Sequence, residues 1–132
     1  MVGQKILVVE DNEANRRLIC KMLEKEGYSS DQAANGVDAV EMMKRNRYRI
    51  ILMDIQMPQM DGLEATRLIR EHEIQQRETR RVIVALTANA LVGDRENYIA
   101  QGMNDYLSKP IKKSEFLAVL DQYGSKNLSG AD

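Results

Sequence analysis

The stretch IILMD, residues 50–54, is an apolar run that ends in a carboxylate. A short apolar run bounded by polar turn residues indicates a strand that is buried on both faces of a sheet. The stretch ILVVED at residues 6–11 has the same pattern. The stretch DYLSKP at residues 105–110 holds a shorter apolar run, which is followed by the ammonium group of a lysine. Functional groups in an open α/β sheet collect at the carboxyl ends of the strands. Three carboxylates and one ammonium are therefore expected to meet at one edge of one sheet.

Strand patterns and helix patterns alternate along the chain, which predicts βαβ units with right-handed crossovers and a parallel sheet covered on both faces. The sequence therefore favours a single α/β domain over residues 1–123, followed by a frayed tail at 124–132. Apolar runs predict strands at about 4–9, 28–34, 49–54, 82–87 and 104–107. Apolar residues at helical spacing predict helices at about 13–26, 37–46, 63–73, 91–101 and 116–123.

The composition limits the class of function. Among the 132 residues, 19 basic and 20 acidic side chains nearly cancel to a formal net charge of −1. This balance argues against a nucleic-acid or membrane surface, which needs a cationic patch. Cys20 is the single cysteine, which excludes an intrachain disulfide. No stretch is apolar enough to span a membrane and the first residues hold no signal-peptide core, so we expect a cytoplasmic protein.

The predicted edge of the sheet has the composition of a magnesium site. Two carboxylates about 4 Å apart repel by about 1 kcal/mol in bulk water, and by several times more near a protein surface. Glu10, Asp11 and Asp54 would therefore repel one another unless a cation joined them. Mg²⁺ is a hard cation that binds through one or two carboxylates together with phosphate oxygens. The sequence holds no cluster of His or Cys that could favour zinc.

Phosphoryl transfer is the chemistry that this set of groups favours, because it mostly needs positioning and neutralisation of charge. Asp54 is the candidate nucleophile, since a carboxylate can attack phosphorus and form an acyl phosphate. Lys109 is expected to pair with Asp54 and then with a phosphoryl oxygen. The hydroxyl of Thr87 could donate a hydrogen bond to another phosphoryl oxygen.

Taken in order, these residues resemble the receiver domain of two-component response regulators over about residues 4–123. The stretches around Asp54 and Thr87 are most similar to receivers fused to hybrid histidine kinases. The similar positions are the acidic pair Glu10-Asp11, the phospho-acceptor Asp54, the loop from Met57-Pro58 to Asp61-Gly62, the switch hydroxyl Thr87 with Ala88, the switch aromatic Tyr106, and Lys109 with a cis-prolyl bond to Pro110.

The resemblance implies a flavodoxin-like (βα)5 fold with strand order 2-1-3-4-5. It implies that Asp54 accepts a phosphoryl group from the phosphohistidine of a histidine kinase with Mg²⁺, and that the main-chain carbonyl of Gln56 completes the metal ligands. Phosphorylation would draw Thr87 inward and let Tyr106 follow, remodelling the surface of the fourth helix, fifth strand and fifth helix. The phosphoryl group could also pass to a histidine phosphotransfer protein. Such a module catalyses its own phosphorylation and dephosphorylation without being a conventional enzyme.

Simpler structural roles and two further functions also fit parts of this pattern. Acids favour helix N-termini, a short Asp side chain can stabilise a turn, and a Thr or Tyr can serve only packing. An aspartate-nucleophile phosphatase is a second functional hypothesis, but that family generally has a second Asp two residues later, where this chain has Gln56. A receiver-like binding module that is never phosphorylated is a third hypothesis, and the intact Asp54 and Lys109 argue against it.

The charged stretch at residues 71–81 predicts a solvated face, with an exposed connection at about 74–80. His72, the single histidine, lies between two glutamates in this stretch. We therefore expect His72 to be exposed and to have no role in the chemistry.

Overall fold

Five parallel strands and five helices alternate along the chain, as the sequence predicts. The structure is a computed structural model that describes residues 5–88 and 94–124, with the backbone alone for Asp94. The strands are β1 (Lys5–Val9), β2 (Ser29–Ala33), β3 (Tyr48–Asp54), β4 (Val82–Thr87) and β5 (Asp105–Ser108). The helices are α1 (Glu13–Lys25), α2 (Gly36–Arg45), α3 (Gly62–Gln76), α4 (Asp94–Ala100) and α5 (Lys113–Tyr123).

The strand order is β2-β1-β3-β4-β5, which confirms the flavodoxin-like topology. Every neighbouring pair of strands is parallel. The register pairs Val9 with Met53, Met53 with Ala85, and Ala85 with Tyr106. The carboxyl ends of β1, β3, β4 and β5 therefore reach the same edge of the sheet, where the side chains that follow them can meet.

Alternate side chains of each strand point to opposite faces, so the sheet has two cores. One core lies under α1 and α5 and includes Ile6, Ile50, Leu52 and Val84. The other lies under α2, α3 and α4 and includes Ile51 and other strand residues. A fully buried Leu, Ile or Val contributes about 1.5 to 3 kcal/mol to folding. Strand β3 lies at the centre of the sheet, and like its neighbours β1 and β4 it is covered on both faces.

Side chains and backbone geometry determine where the helices begin and end. Asn12 caps the N-terminus of α1 by accepting a hydrogen bond from the main-chain N–H of Asn15 at 2.9 Å. Gly27 follows α1 with φ of 87°, a left-handed conformation that glycine adopts without strain. This turn leads the chain directly from α1 into β2.

The charged stretch at 71–81 is where the structure corrects the sequence prediction. Helix α3 continues to Gln76, and Arg77 ends it in a left-handed conformation with φ of 54°. Glu73 and Arg81 are buried, whereas Glu71 and most of residues 74–80 are exposed, so this stretch is a solvated face only in part. His72 is also mostly covered, and its Nε2 lies 3.5 Å from Oε2 of Glu78. Opposite charges that neutralise one another explain this burial, and a count of charged residues does not reveal such pairing.

Two predicted segments fall partly outside the described residues. The fourth helix was expected over 91–101, and the structure describes α4 from Asp94, while 91–93 lie outside the described part. The expected tail at 124–132 lies outside it except for Gly124, which is buried. Helix α5 begins at Lys113, before the predicted start at 116. The apolar pattern did not reveal the first turn of this helix because that turn is polar. None of the helices in the described part is both long and apolar enough to cross a membrane.

Candidate functional site

Glu10 and Asp11 follow β1, and they differ sharply in exposure. Glu10 is 1% exposed, whereas Asp11 is exposed to solvent. The Glu10 carboxylate accepts a hydrogen bond from the main-chain N–H of Asn12 at 3.2 Å. Arg16 donates to the main-chain carbonyl of Glu10 at 2.9 Å. Glu10 is therefore a fixed inner carboxylate, and Asp11 is an outer carboxylate beside it.

Asp54 ends the central strand β3 and is 3% exposed. Its Oδ1 accepts a hydrogen bond from the main-chain N–H of Gln56 at 3.2 Å. The N-terminus of α3 packs tightly against this point, because a Cβ added at Gly62 would lie 2.3 Å from the main-chain oxygen of Asp54. Glycine at position 62 thus allows the loop after β3 to turn back closely enough to cover Asp54.

Lys109 joins the two buried carboxylates. Its Nζ lies 2.9 Å from Oε1 of Glu10 and 3.1 Å from Oδ1 of Asp54. The main-chain N–H of Lys109 donates to the carbonyl of Thr87 at 2.8 Å, which fixes the end of β5 against β4. The peptide bond from Lys109 to Pro110 is cis, as the resemblance implied. The chain that follows β5 thereby places the Lys109 ammonium group beside the carboxylates at the ends of β1 and β3.

The three acidic residues form a set of oxygen donors that fits Mg²⁺. Glu10, Asp11 and Asp54 each offer a carboxylate oxygen, and these oxygens all lie within 4.8 Å of one another. The set holds no sulfur or imidazole ligand, which matches the preference of Mg²⁺ for oxygen. One exposed carboxylate beside two buried ones gives the group an open side through which a hydrated cation can approach.

The electrostatics of the site follow from burial and from the close approach of like charges. Burial raises the pKa of the Asp54 carboxyl to about 6, with nearby Glu10 adding to the rise and Lys109 opposing it. For Lys109, burial disfavours the ammonium, but Glu10 and Asp54 outweigh that effect and raise its pKa. At neutral pH the site therefore holds a charged lysine between carboxylates whose excess negative charge favours binding of a further cation.

Thr87 ends β4 and is buried with a tyrosine from α4. The hydroxyl of Tyr98 donates a hydrogen bond to Oγ1 of Thr87 at 3.1 Å. The ring of Tyr98 also contacts that of Tyr106, with centroids 6.3 Å apart and an angle of 55° between the planes. Tyr106 is half-buried. The two predicted switch residues are thus connected through Tyr98, a residue that the sequence prediction did not include.

The structure brings together Glu10, Asp11, Asp54 and Lys109, as expected from their positions after strands. The backbone of Gln56 lies beside Asp54 while its side chain is exposed. Tyr98 was missed because a tyrosine in an amphipathic helix gives no sign of where its hydroxyl lies. One feature of the sequence does point to Tyr98: it lies in the helix between β4 and β5, the two strands that carry the switch residues.

Comparison with known proteins agrees with this geometry. The family model described as response regulator receiver domain matches residues 6–121. Hybrid signal transduction histidine kinase B of Dictyostelium discoideum is 48% identical over 122 residues, which cover 86% of this chain and 6% of that protein. The chain thus spans only a small part of this relative. The polar-differentiation response regulator DivK of Brucella anthropi is 35% identical over 121 residues, which cover 91% of this chain and 95% of DivK.

Two solved structures extend the comparison. One is the receiver domain of sensor histidine kinase PA1611 from Pseudomonas aeruginosa, with a magnesium ion coordinated in its active site cleft. It is 48% identical, with a TM-score of 0.80, over 92% of this chain and 98% of that one. The other is the receiver domain of Saccharomyces cerevisiae Ssk1 in complex with the histidine phosphotransfer protein Ypd1. It is 32% identical, with a TM-score of 0.88, over 94% of this chain and 90% of that one. The chain belongs to the response regulator receiver domain family.

Proposed function

We propose that this chain is a phospho-accepting receiver module and that Asp54 accepts the phosphoryl group. The observation that carries the proposal is the position of Lys109 Nζ, within 3.1 Å of two buried carboxylates in a cluster of three. The proposed module comprises residues 1–123, with 124–132 as a tail, and the family match over 6–121 supports these bounds.

Asp54 is proposed to act as a nucleophile toward a phosphohistidine. One carboxylate oxygen of Asp54 forms a bond to phosphorus while the bond from phosphorus to the histidine nitrogen breaks. The imidazole leaves with the electron pair of that bond, and an acyl phosphate remains on Asp54. The main-chain N–H of Gln56 holds the carboxylate in place during this exchange, because it donates to Asp54 Oδ1.

The ligands of Mg²⁺ are proposed to be Glu10, Asp11 and Asp54, with the main-chain carbonyl of Gln56. Bound there, Mg²⁺ neutralises negative charge on the phosphoryl oxygens and helps to orient the group. In this arrangement Glu10 is the buried ligand whose position is fixed. Asp11, which is exposed, leaves room for water and for the incoming phosphoryl group.

Lys109 and Thr87 are proposed to bind the transferred group. The Lys109 ammonium already contacts Asp54 and exchanges that contact for a phosphoryl oxygen. Thr87 donates its hydroxyl proton to another phosphoryl oxygen, and Tyr106 responds to the change at Thr87. The surface formed by α4, β5 and α5 then differs between the two states of Asp54.

We propose that the donor is a histidine kinase or its phosphohistidine domain and that a histidine phosphotransfer protein can take the phosphoryl group onward. The similarity to hybrid histidine kinases and to a receiver solved with Ypd1 supports both partners. We also propose a cytoplasmic location. The single free thiol, Cys20, is consistent with a reducing compartment.

A mass measurement tests the proposed function. After incubation with Mg²⁺ and acetyl phosphate, the intact protein should gain the mass of one phosphoryl group, and Asp54→Asn should gain none. Asp121→Asn, which changes an exposed aspartate of α5, is the matched control and should behave like the wild type. Continuous hydrolysis of phosphomonoesters would instead indicate a phosphatase, and no gain in the wild type would indicate a binding module.

A further inference from the structure

Arginines without a carboxylate partner are concentrated at one edge of the sheet. In the described part of the chain, Arg47, Arg49, Arg77 and Arg80 form no ion pair with a carboxylate. Arg49 and Arg80 donate to main-chain carbonyls at 3.2 Å, which orients their guanidinium groups without neutralising them. Arg49 is half-buried, and the other three are exposed. We call these four residues the basic surface.

The basic surface lies at the amino edge of the sheet, opposite the carboxylate cluster. Arg47 directly precedes β3, and Arg80 lies in the connection between α3 and β4. The register pairs Ile50 with Val82, so the segments that enter β3 and β4 lie side by side. The seven residues of β3 separate this edge from the opposite one by about 20 Å. Because the Debye length is about 8 Å at physiological salt, a partner bound at one edge is largely screened from exposed charges at the other.

Two cavities lie along the basic surface and share Arg80. The larger, of about 360 Å³, is lined in part by Ile74, which is 78% exposed. The two glutamates of this cavity, Glu73 and Glu78, already pair with Arg81. The smaller cavity, of about 70 Å³, is lined by no acidic residue but by Arg47, Tyr48, Arg49, Thr79, Arg80 and Arg81. The surface is therefore predominantly cationic, with an exposed apolar side chain beside its arginines.

The residue types at this surface favour a protein as the partner. Arginine is enriched in protein interfaces, and its planar guanidinium can bind a carboxylate through two hydrogen bonds. An exposed isoleucine such as Ile74 gains free energy when a partner covers it. Surfaces that bind single-stranded nucleic acid combine cations with exposed aromatic rings. Tyr48, the aromatic residue beside these arginines, is buried. An acidic protein segment that carries an apolar side chain matches both the charge and the exposed isoleucine.

We propose that the basic surface is a docking site for an acidic segment of a partner protein. Carboxylates of that segment pair with the four arginines, and an apolar side chain of the segment covers Ile74. Two of the guanidinium groups are already oriented by main-chain carbonyls, which reduces the side-chain entropy lost on binding. This docking site is distinct from the carboxylate cluster and does not depend on phosphorylation of Asp54.

An NMR titration of the ¹⁵N-labelled protein with a synthetic peptide tests this inference. The peptide has about ten residues, with glutamates around a central pair of leucines, and at low salt the wild type should bind it with a Kd below about 1 mM. The amide signals of residues 45–49 and 74–81 should shift, whereas those around Asp54 should not. Arg47→Glu combined with Arg77→Glu should weaken binding at least about tenfold, because the reversed charges repel the peptide. Ile74→Ala should weaken it about threefold, because less apolar surface is covered.

Arg17→Glu combined with Lys21→Glu is the matched control, because both residues are exposed on α1 and the variant has the same net charge as the test variant. The control should bind the peptide like the wild type. Equal losses in the two double variants would show a response to net charge alone, which overturns the inference. Unchanged binding in the test variant, or signal shifts confined to other parts of the protein, overturns it as well.

Further probes identify the class of ligand. A peptide with glutamine in place of glutamate should not bind, and equal binding of that peptide would overturn the inference. Tighter binding of an oligothymidylate of matching charge would indicate a nucleic-acid surface, and equal shifts caused by inorganic phosphate would indicate a site for a small anion. Either result overturns the proposal of an acidic protein partner, as does failure of the wild type to bind the acidic peptide. An unfolding curve verifies that each variant folds.

Discussion

At the scale of single residues, the site is a destabilising feature of the metal-free protein. Glu10 and Asp54 are 1% and 3% exposed, and they share one ammonium. Burial and the nearby Glu10 raise the pKa of Asp54 from 3.8 to about 6. The folded state thus binds this proton more tightly than the unfolded state, so stability falls as pH rises from about 4 to about 6.

Replacing the charge at Asp54 should therefore stabilise the metal-free protein. We expect Asp54→Asn to raise the free energy of unfolding by about 3 kcal/mol at pH 7.5, since each unit of pKa shift corresponds to about 1.4 kcal/mol. Urea unfolding in the presence of a chelator measures this. The gain should shrink as pH falls from about 6 to about 4, because the Asp54 carboxyl of the folded wild type becomes protonated in that range. A variant less stable than the wild type at pH 7.5 would show that the Lys109 contact outweighs the cost of burying Asp54.

The sequence predicted most of the site because each of its residues lies at or just after the carboxyl end of a strand. Glu10, Asp54 and Lys109 occupy positions that any parallel sheet of this order would bring together. Burial of Glu10 was not predictable, because a charge after a strand can equally point to solvent. The contact between Tyr98 and Thr87 depends on how α4 rotates against the sheet, and helical periodicity alone does not determine that rotation.

At the scale of elements, α3 is attached to the start of β4 by the buried ion pair of Glu73 with Arg81, the residue before β4. Arg70 Nη1 lies 2.8 Å from Oε1 of Glu73, and Arg81 Nη1 lies 3.3 Å from Oε2 of the same carboxylate. The main-chain N–H of Arg81 also donates to Glu73 at 2.8 Å. One carboxylate thus contacts two guanidinium groups and the main-chain N–H of the residue before β4. The charge pattern of this stretch predicted solvent exposure. Composition alone does not show which charged residues form ion pairs with one another in the fold.

Glu73 should accordingly matter far more than its exposed neighbour Glu71. We expect Glu73→Ala to lower the free energy of unfolding by about 3 kcal/mol or more, because it removes the buried carboxylate that the guanidinium groups of Arg70 and Arg81 share. Glu71→Ala removes a surface contact with Arg67 and should cost less than about 1 kcal/mol. Urea unfolding of both variants at pH 7.5 makes the comparison. Equal losses would mean that the pairs around Glu73 contribute no more than a surface salt bridge.

At the scale of the whole molecule, metal binding and folding should be linked through the carboxylate cluster. The three carboxylates come from the ends of β1 and β3, so the complete ligand set exists only in the folded sheet. A ligand that binds only the folded state stabilises it by about 2.7 kcal/mol at a hundredfold excess over Kd. The strand order, which the resemblance to receiver domains implied, is thus what assembles the metal site.

A substitution at Asp11 separates the contribution of the metal to stability from the contribution of packing, because Asp11 is the exposed member of the cluster. We expect Asp11→Asn to change the metal-free unfolding free energy by less than about 0.5 kcal/mol, as surface substitutions usually do. The same variant should lose most of the stabilisation that Mg²⁺ gives the wild type. Thermal unfolding with increasing Mg²⁺ measures both quantities. An undiminished response to Mg²⁺ would remove Asp11 from the proposed ligands.

The location of the phosphoryl group tests the central claim most directly. The protein is phosphorylated with acetyl phosphate and Mg²⁺ and then treated with hydroxylamine, which converts an acyl phosphate to a hydroxamate. Tandem mass spectrometry of the peptide that contains Asp54 should place the hydroxamate on that residue, and omission of Mg²⁺ should abolish it. A phosphoryl group that resists hydroxylamine, or a modification on any other residue, would contradict the account.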